Sequence, residues 1–101
     1  MLRQRDDWEN LSNEEKLVLL AVAHEIPNVN GFQVKDLDVM EISGLRPGSF
    51  WPVIWHLQHK GLLEVEEPDN MSCKLLNLAG EATVLNRKMI PPDAILRRVF
   101  P

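Results

Sequence analysis

Residues Ile42–Leu63 read ISGLRPGSFWPVIWHLQHKGLL and contain no aspartate or glutamate, in a chain whose formal net charge is −4. The short Gly44–Leu45–Arg46 link turns the chain. Glycine accepts the left-handed conformation that closes a helix, and proline suits the first position of the next, where its missing N–H leaves no bond unmade. Phe50, Val53, Ile54 and Leu57 then recur at helical spacing. They predict a helix over about 47–60 with one apolar face, ended by Gly61. Pro52 has two readings. With Ser49 as the cap it falls in the first turn and is harmless; with the helix starting at Pro47 it removes the bond to the Gly48 carbonyl.

Upstream, Ser12 and Glu15 stand at capping-box spacing, where each side chain can satisfy a backbone N–H of the other. Leu17, Leu20, Ala21 and His24, with Val18 alongside, predict a helix that Pro27 ends. Asn28–Gly31 reads as a loop. A second helix is expected over about Phe32–Ile42, with Val34, Leu37 and Met40 or Glu41 marking its face. Downstream of Gly61, LLEVEE alternates as a strand, Pro68–Asn70 turns, and Met71–Leu76 returns. Asn77 is placed to cap a last helix running to about Lys88, with Ala82 and Leu85 inward. Pro91 and Pro92 break it, and Asp93 can cap a short segment, Ala94–Phe100.

The order is helix, helix, turn, helix, hairpin, helix. The expected class is mainly α with a small β-hairpin (α+β): a winged helix-turn-helix with a three-helix core, a two-stranded wing and a C-terminal helix. Its parts are an arm over residues 1–11, the domain over 12–88 and a tail over 89–101.

At 101 residues, with 45% hydrophobic residues, the chain is sized for one small core. No apolar run is long enough for a membrane span. The N-terminus, MLRQRDDWEN, turns acidic where a secretory signal would turn apolar, and a single cysteine, Cys73, cannot form an internal disulfide. Both point to the cytoplasm. The acidic balance excludes an overall basic nucleic-acid binder but leaves open a locally positive face.

The segment Ser43–Glu64 resembles the PadR-type winged-helix regulators. Pro47, Gly48, Ser49, Phe50, Trp51, Pro52, Val53, Ile54, Leu57, Gly61, Leu62 and Leu63 fall on that family's Pro-Gly-Ser/Thr-aliphatic-Tyr-Pro recognition helix and the Gly-Leu-Ile step into its wing. Trp51 stands where the family has tyrosine. Leu76, Asn77 and Gly80 resemble the Leu-Thr-x-x-Gly that follows the wing. The resemblance spans roughly residues 12–88 and implies a DNA-binding regulator, with a proline at position 52 as part of the pattern.

A rotation of about 100° per residue places Pro52, Trp55, His56 and His59 away from the core face, with Ser49 and Lys60 near its edges. The candidate DNA-binding residues follow. Arg46, Ser49 and Lys60 would hold phosphates, Ser49 at a helix N-terminus that favours an anion. His56 and His59 would approach base edges. Trp55 is either a contact residue or packs against the wing, Lys60 or the start of the first helix. Lys74 is the only cation of a wing that carries Glu64, Glu66, Glu67 and Asp69. Trp51 is expected as half-buried support.

A module this small reads few base pairs, so a homodimer on double-stranded DNA is expected. Leu2, Trp8, Ile95, Leu96, Val99 and Phe100 are its candidate interface. Arg87, Lys88, Arg97 and Arg98 form a C-terminal basic cluster, read as surface or as phosphate contacts. No catalytic arrangement occurs at recognisable spacing, His56 and His59 lack a third metal ligand, and no cofactor or enzyme activity is expected. The alternative is a winged-helix protein-interaction module that does not bind DNA and uses the Trp55 face for a protein partner.

Overall fold

A computed structural model describes residues 10–25, 33–69 and 72–87, together with Asp93, Arg97 and Val99. Its elements run α1 (Asn13–Glu25), β1 (Val34–Lys35), α2 (Asp36–Ser43), α3 (Pro47–His59), β2 (Leu63–Glu66), β3 (Leu75–Leu78) and a 3₁₀ segment, Gly80–Arg87.

The capping box forms as its spacing predicts. The Ser12 N–H donates to Glu15 Oε1 at 2.8 Å, and the Glu15 N–H donates to Ser12 Oγ at 3.1 Å. From Leu17 to Ala23 every residue of α1 is buried. The one-sided face drawn from Leu17, Leu20 and Ala21 is therefore too narrow. Leu19 and Val22 are also in the core, because α1 packs against α2, α3, β3 and the 3₁₀ segment. A helix apolar around its whole circumference belongs at the centre of its domain. Each fully buried leucine or valine there contributes roughly 1.5–3 kcal/mol.

The second helix differs from its expected form. It starts at Asp36, and Val34 and Lys35 instead form a strand. Its buried face is Asp36, Val39 and Ser43, while Leu37 is 64% exposed. Gly44 closes it with φ 73°, its N–H donating to the Met40 carbonyl at 2.8 Å.

The sheet has three antiparallel strands in the order β1-β3-β2, so the two-stranded wing gains a partner from ahead of the helix-turn-helix. Val34 pairs with Leu76, and Val65 pairs with Leu76 from the other side. β3 lies later than Met71–Leu76. Asn77 is a strand residue paired with Glu64 rather than a helix cap, and the following helical turn begins only at Gly80. There the chain passes so close to the end of α3 that a Cβ on Gly80 would fall 2.5 Å from the Gly61 carbonyl oxygen, which only glycine avoids.

α3 starts at Pro47, with Arg46 as its N-cap residue and no side chain capping it. Pro52 is therefore an interior residue and leaves the Gly48 carbonyl without its usual helical donor. Phe50, Ile54 and Leu57 are fully buried and Val53 is partly so, as the spacing predicts. Val99 is buried in this same core, so its side chain is not on the chain's surface. Leu2, Trp8, Ile95, Leu96 and Phe100 lie outside the described residues.

Candidate nucleic-acid interface

α3 is held differently on its two flanks, and its outer stripe lies between them. On the α1 side, Glu15 reaches across to the end of α3. Its Oε2 accepts a hydrogen bond from Lys60 Nζ at 2.9 Å and lies 3.4 Å from His56 Nδ1, while Oε1 is occupied by the Ser12 N–H. The Glu15 side chain is only 5% exposed. Burial would push its carboxyl up, but the Ser12 N–H and the Lys60 ammonium outweigh burial and hold it below the ordinary glutamate value.

On the wing side the contacts are aromatic. Phe50, in the core, meets Trp51 edge to face at 5.1 Å between ring centroids, and Trp51 stacks on Trp55 at 5.5 Å with 29° between planes. This ladder runs from the core to a Trp55 that is 43% exposed. Lys74 Nζ sits 4.9 Å from the Trp51 ring centre and 3.6 Å from Glu67 Oε1. Trp51 is thus the half-buried support expected of it. Trp55 stacks on Trp51.

The seven DNA-binding candidates accordingly fall into three groups. Arg46 and Ser49 are exposed at the start of α3, where no side chain caps the helix. Trp55 and His59 are exposed along its outer face. Lys60, His56 and Lys74 each lie beside a carboxylate of this same chain. Glu15 is the site residue the sequence reading missed. Its spacing from Ser12 marks it as half of a capping box, but nothing local marks its second oxygen as the acceptor for a lysine 45 residues away.

The exposed acids Glu64, Glu66, Glu67 and Asp69 lie on β2 and just beyond it. A shallow groove of about 550 Å³ runs along β2 between Gln58, Gly61 and Gly80, with Glu64 and Glu66 in its wall. Among the described residues no group of three or more His, Cys, Asp or Glu could hold a metal ion, and no helix is long and apolar enough to cross a membrane.

No protein-family model matches this chain, and no curated protein sequence matches it. Among solved structures it is similar to the PcaV transcriptional regulator from Streptomyces coelicolor, crystallised in complex with its natural ligand, with a TM-score of 0.63. The chain folds as a winged helix. Sequence identity to PcaV is 23%, and the match covers 90% of this chain and 59% of that one. The shared architecture places α2 and α3 as the helix-turn-helix and β2–β3 as the wing.

Proposed function

We propose that this winged helix is a sequence-specific, double-stranded-DNA-binding transcriptional regulator, with α3 as the helix that enters the major groove. The observation that carries the reading is the surface of α3. It has no acid over its whole length, its N-terminus is free of any side-chain cap, and Arg46 stands exposed beside that N-terminus. The positive end of the helix dipole beside the Arg46 guanidinium suits a DNA phosphate, although Pro47 has no N–H and the Ser49 and Phe50 N–H groups already donate to the Arg46 carbonyl. The structural likeness to a transcriptional regulator supports the same reading, and so does the PadR-like pattern of the recognition helix.

In this reading Arg46 and Ser49 hold a phosphate, while Trp55 and His59 face the groove. His56 and Lys60 contribute from the edge clamped by Glu15, and Lys74 from the wing. The working form is a cytoplasmic homodimer on a two-fold site, because one recognition helix covers only a few base pairs.

One observation favours the rival reading, a protein-interaction module. Lys60 and Lys74, which would neutralise phosphates, are already beside Glu15 and Glu67. Titration of a fluorescent duplex at low and at moderate salt decides between them. The DNA reading expects binding that weakens steeply with salt as phosphate contacts release counterions. Absence of binding at low salt overturns it in favour of a protein partner.

A further inference from the structure

Gly48, Pro52, Trp55 and His59 follow one another at intervals of four, three and four residues, which places them on a single stripe of α3. All four are exposed. The stripe is the middle of the outward face, opposite Phe50, Ile54 and Leu57. It is nearly neutral and largely apolar, with the Trp55 indole and the Pro52 ring at its centre, and only the His59 imidazole and the single indole N–H of Trp55 can hydrogen-bond.

That chemistry narrows what the helix could read. Guanine is most often read by arginine or lysine on its O6 and N7, and adenine by asparagine or glutamine on its N6 and N7. The stripe has none of these. Lys60 is turned to Glu15, and Gln58 lines the groove along β2. The base-pair feature that an indole face and a pyrrolidine ring do match is the thymine 5-methyl group, the one apolar group on the floor of the major groove.

Trp55 is also prepared for such a contact. It is stacked on Trp51, and Trp51 is fixed in turn by Phe50 on the core side and Lys74 on the wing side. An aromatic held in place before binding loses little conformational freedom on contact, so more of the buried apolar area appears as affinity.

Building on the DNA-binding reading above, we infer that Trp55, flanked by Pro52, is a specificity-determining residue that recognises thymine methyl groups, so that the protein selects thymine at the base pairs under the centre of α3. The contact forms no covalent bond and needs no cofactor.

The test uses the full chain and duplexes enriched by it from a random-sequence pool. Affinity is measured for the best-enriched duplex and for the same duplex with deoxyuridine in place of thymidine, one position at a time. Deoxyuridine keeps every hydrogen-bonding edge and lacks only the methyl. At one or two positions, loss of the methyl should weaken binding about fourfold for each methyl buried. The Trp55→Ala variant, checked for folding by its thermal melt, should bind the thymidine and deoxyuridine duplexes nearly alike at those positions. Equal affinity of the unaltered protein for both duplexes would overturn the inference while leaving DNA binding in place. An undiminished deoxyuridine effect in Trp55→Ala would overturn the assignment to that residue. Failure to enrich any duplex would overturn both this inference and the reading it rests on.

Discussion

The two flanks of α3 solve the same problem with different chemistry. Toward α1, one nearly dry carboxylate collects a backbone N–H, a lysine and a histidine edge. Toward the wing, an indole is pressed between a buried phenylalanine and a lysine that also faces Glu67. The first flank is directional and sensitive to protonation. The second depends on area and shape and keeps its contacts over a wide pH range. A helix held this way has its end fixed by charge and its exposed tryptophan fixed by packing.

The largest test of that contrast is at the point both flanks share. Phe50 is fully buried and carries the aromatic ladder, so Phe50→Ala should cost about 4 kcal/mol of stability in chemical denaturation and release the Trp51–Trp55 stack. A loss below that of the flank variants would mean the ladder does not rest on the core.

Next comes the α1 flank. Glu15→Ala removes a capping interaction and a charge-assisted hydrogen bond together and should cost about 2 kcal/mol, because Lys60 is one-third exposed and can rehydrate. If urea denaturation gives a smaller loss than a Lys74 variant does, the ranking of the two flanks is reversed.

Acid sharpens the difference between them. The folded Glu15 carboxyl sits below its ordinary value, so it adds stability that is complete above the ordinary glutamate range. That stability is lost as pH falls through the depressed folded value. The stability gap between the natural protein and Glu15→Gln should therefore narrow on acidification, whereas the gap to a Lys74 variant should change much less. Parallel gaps in denaturation curves taken down the acid range would show that Glu15 is not held by its partners.

The smallest effect is expected at the wing. Lys74→Met keeps the stem that covers Trp51 and removes its charge, so it should cost about 0.5–1 kcal/mol, detectable with a shift in tryptophan emission. A loss several times larger would place the main anchor of α3 on the wing.

What could be read from the chain was the local part of this arrangement. The extent of α3, its face of Phe50, Ile54 and Leu57, the Ser12–Glu15 box and the Gly44 closure all rest on residues within a turn or two of one another. The misses at Val34–Lys35 and Asn77 are long-range. Val34–Lys35 is too short to show any alternation and is a strand only because β3 offers it an edge. Asn77 has the side chain of a good helix cap, yet pairing with Glu64 holds it in the sheet. Leu37 fits an apolar face on spacing alone, but α2 begins later than that spacing assumed and turns it outward. For the site, helical spacing alone puts Trp55 on the outside, where it is exposed. The capture of Lys60 and His56 by Glu15 was not visible, since it joins two helices that only the fold brings together.

The pairing of Val34 with Leu76 also sets an order of assembly. β2 and β3 meet across a short connection, so their hairpin can close early with little loss of chain entropy. β1 must wait until the entire helix-turn-helix has folded back, because that whole segment separates it from its partner. The bond from the Asp36 N–H to the Lys74 carbonyl, which ties the start of α2 to the sheet, belongs to this late step. The start of α2, unlike the rest of that helix, is therefore expected to be fastened late, and faster amide exchange at Asp36 than at the β2–β3 pairs would show it.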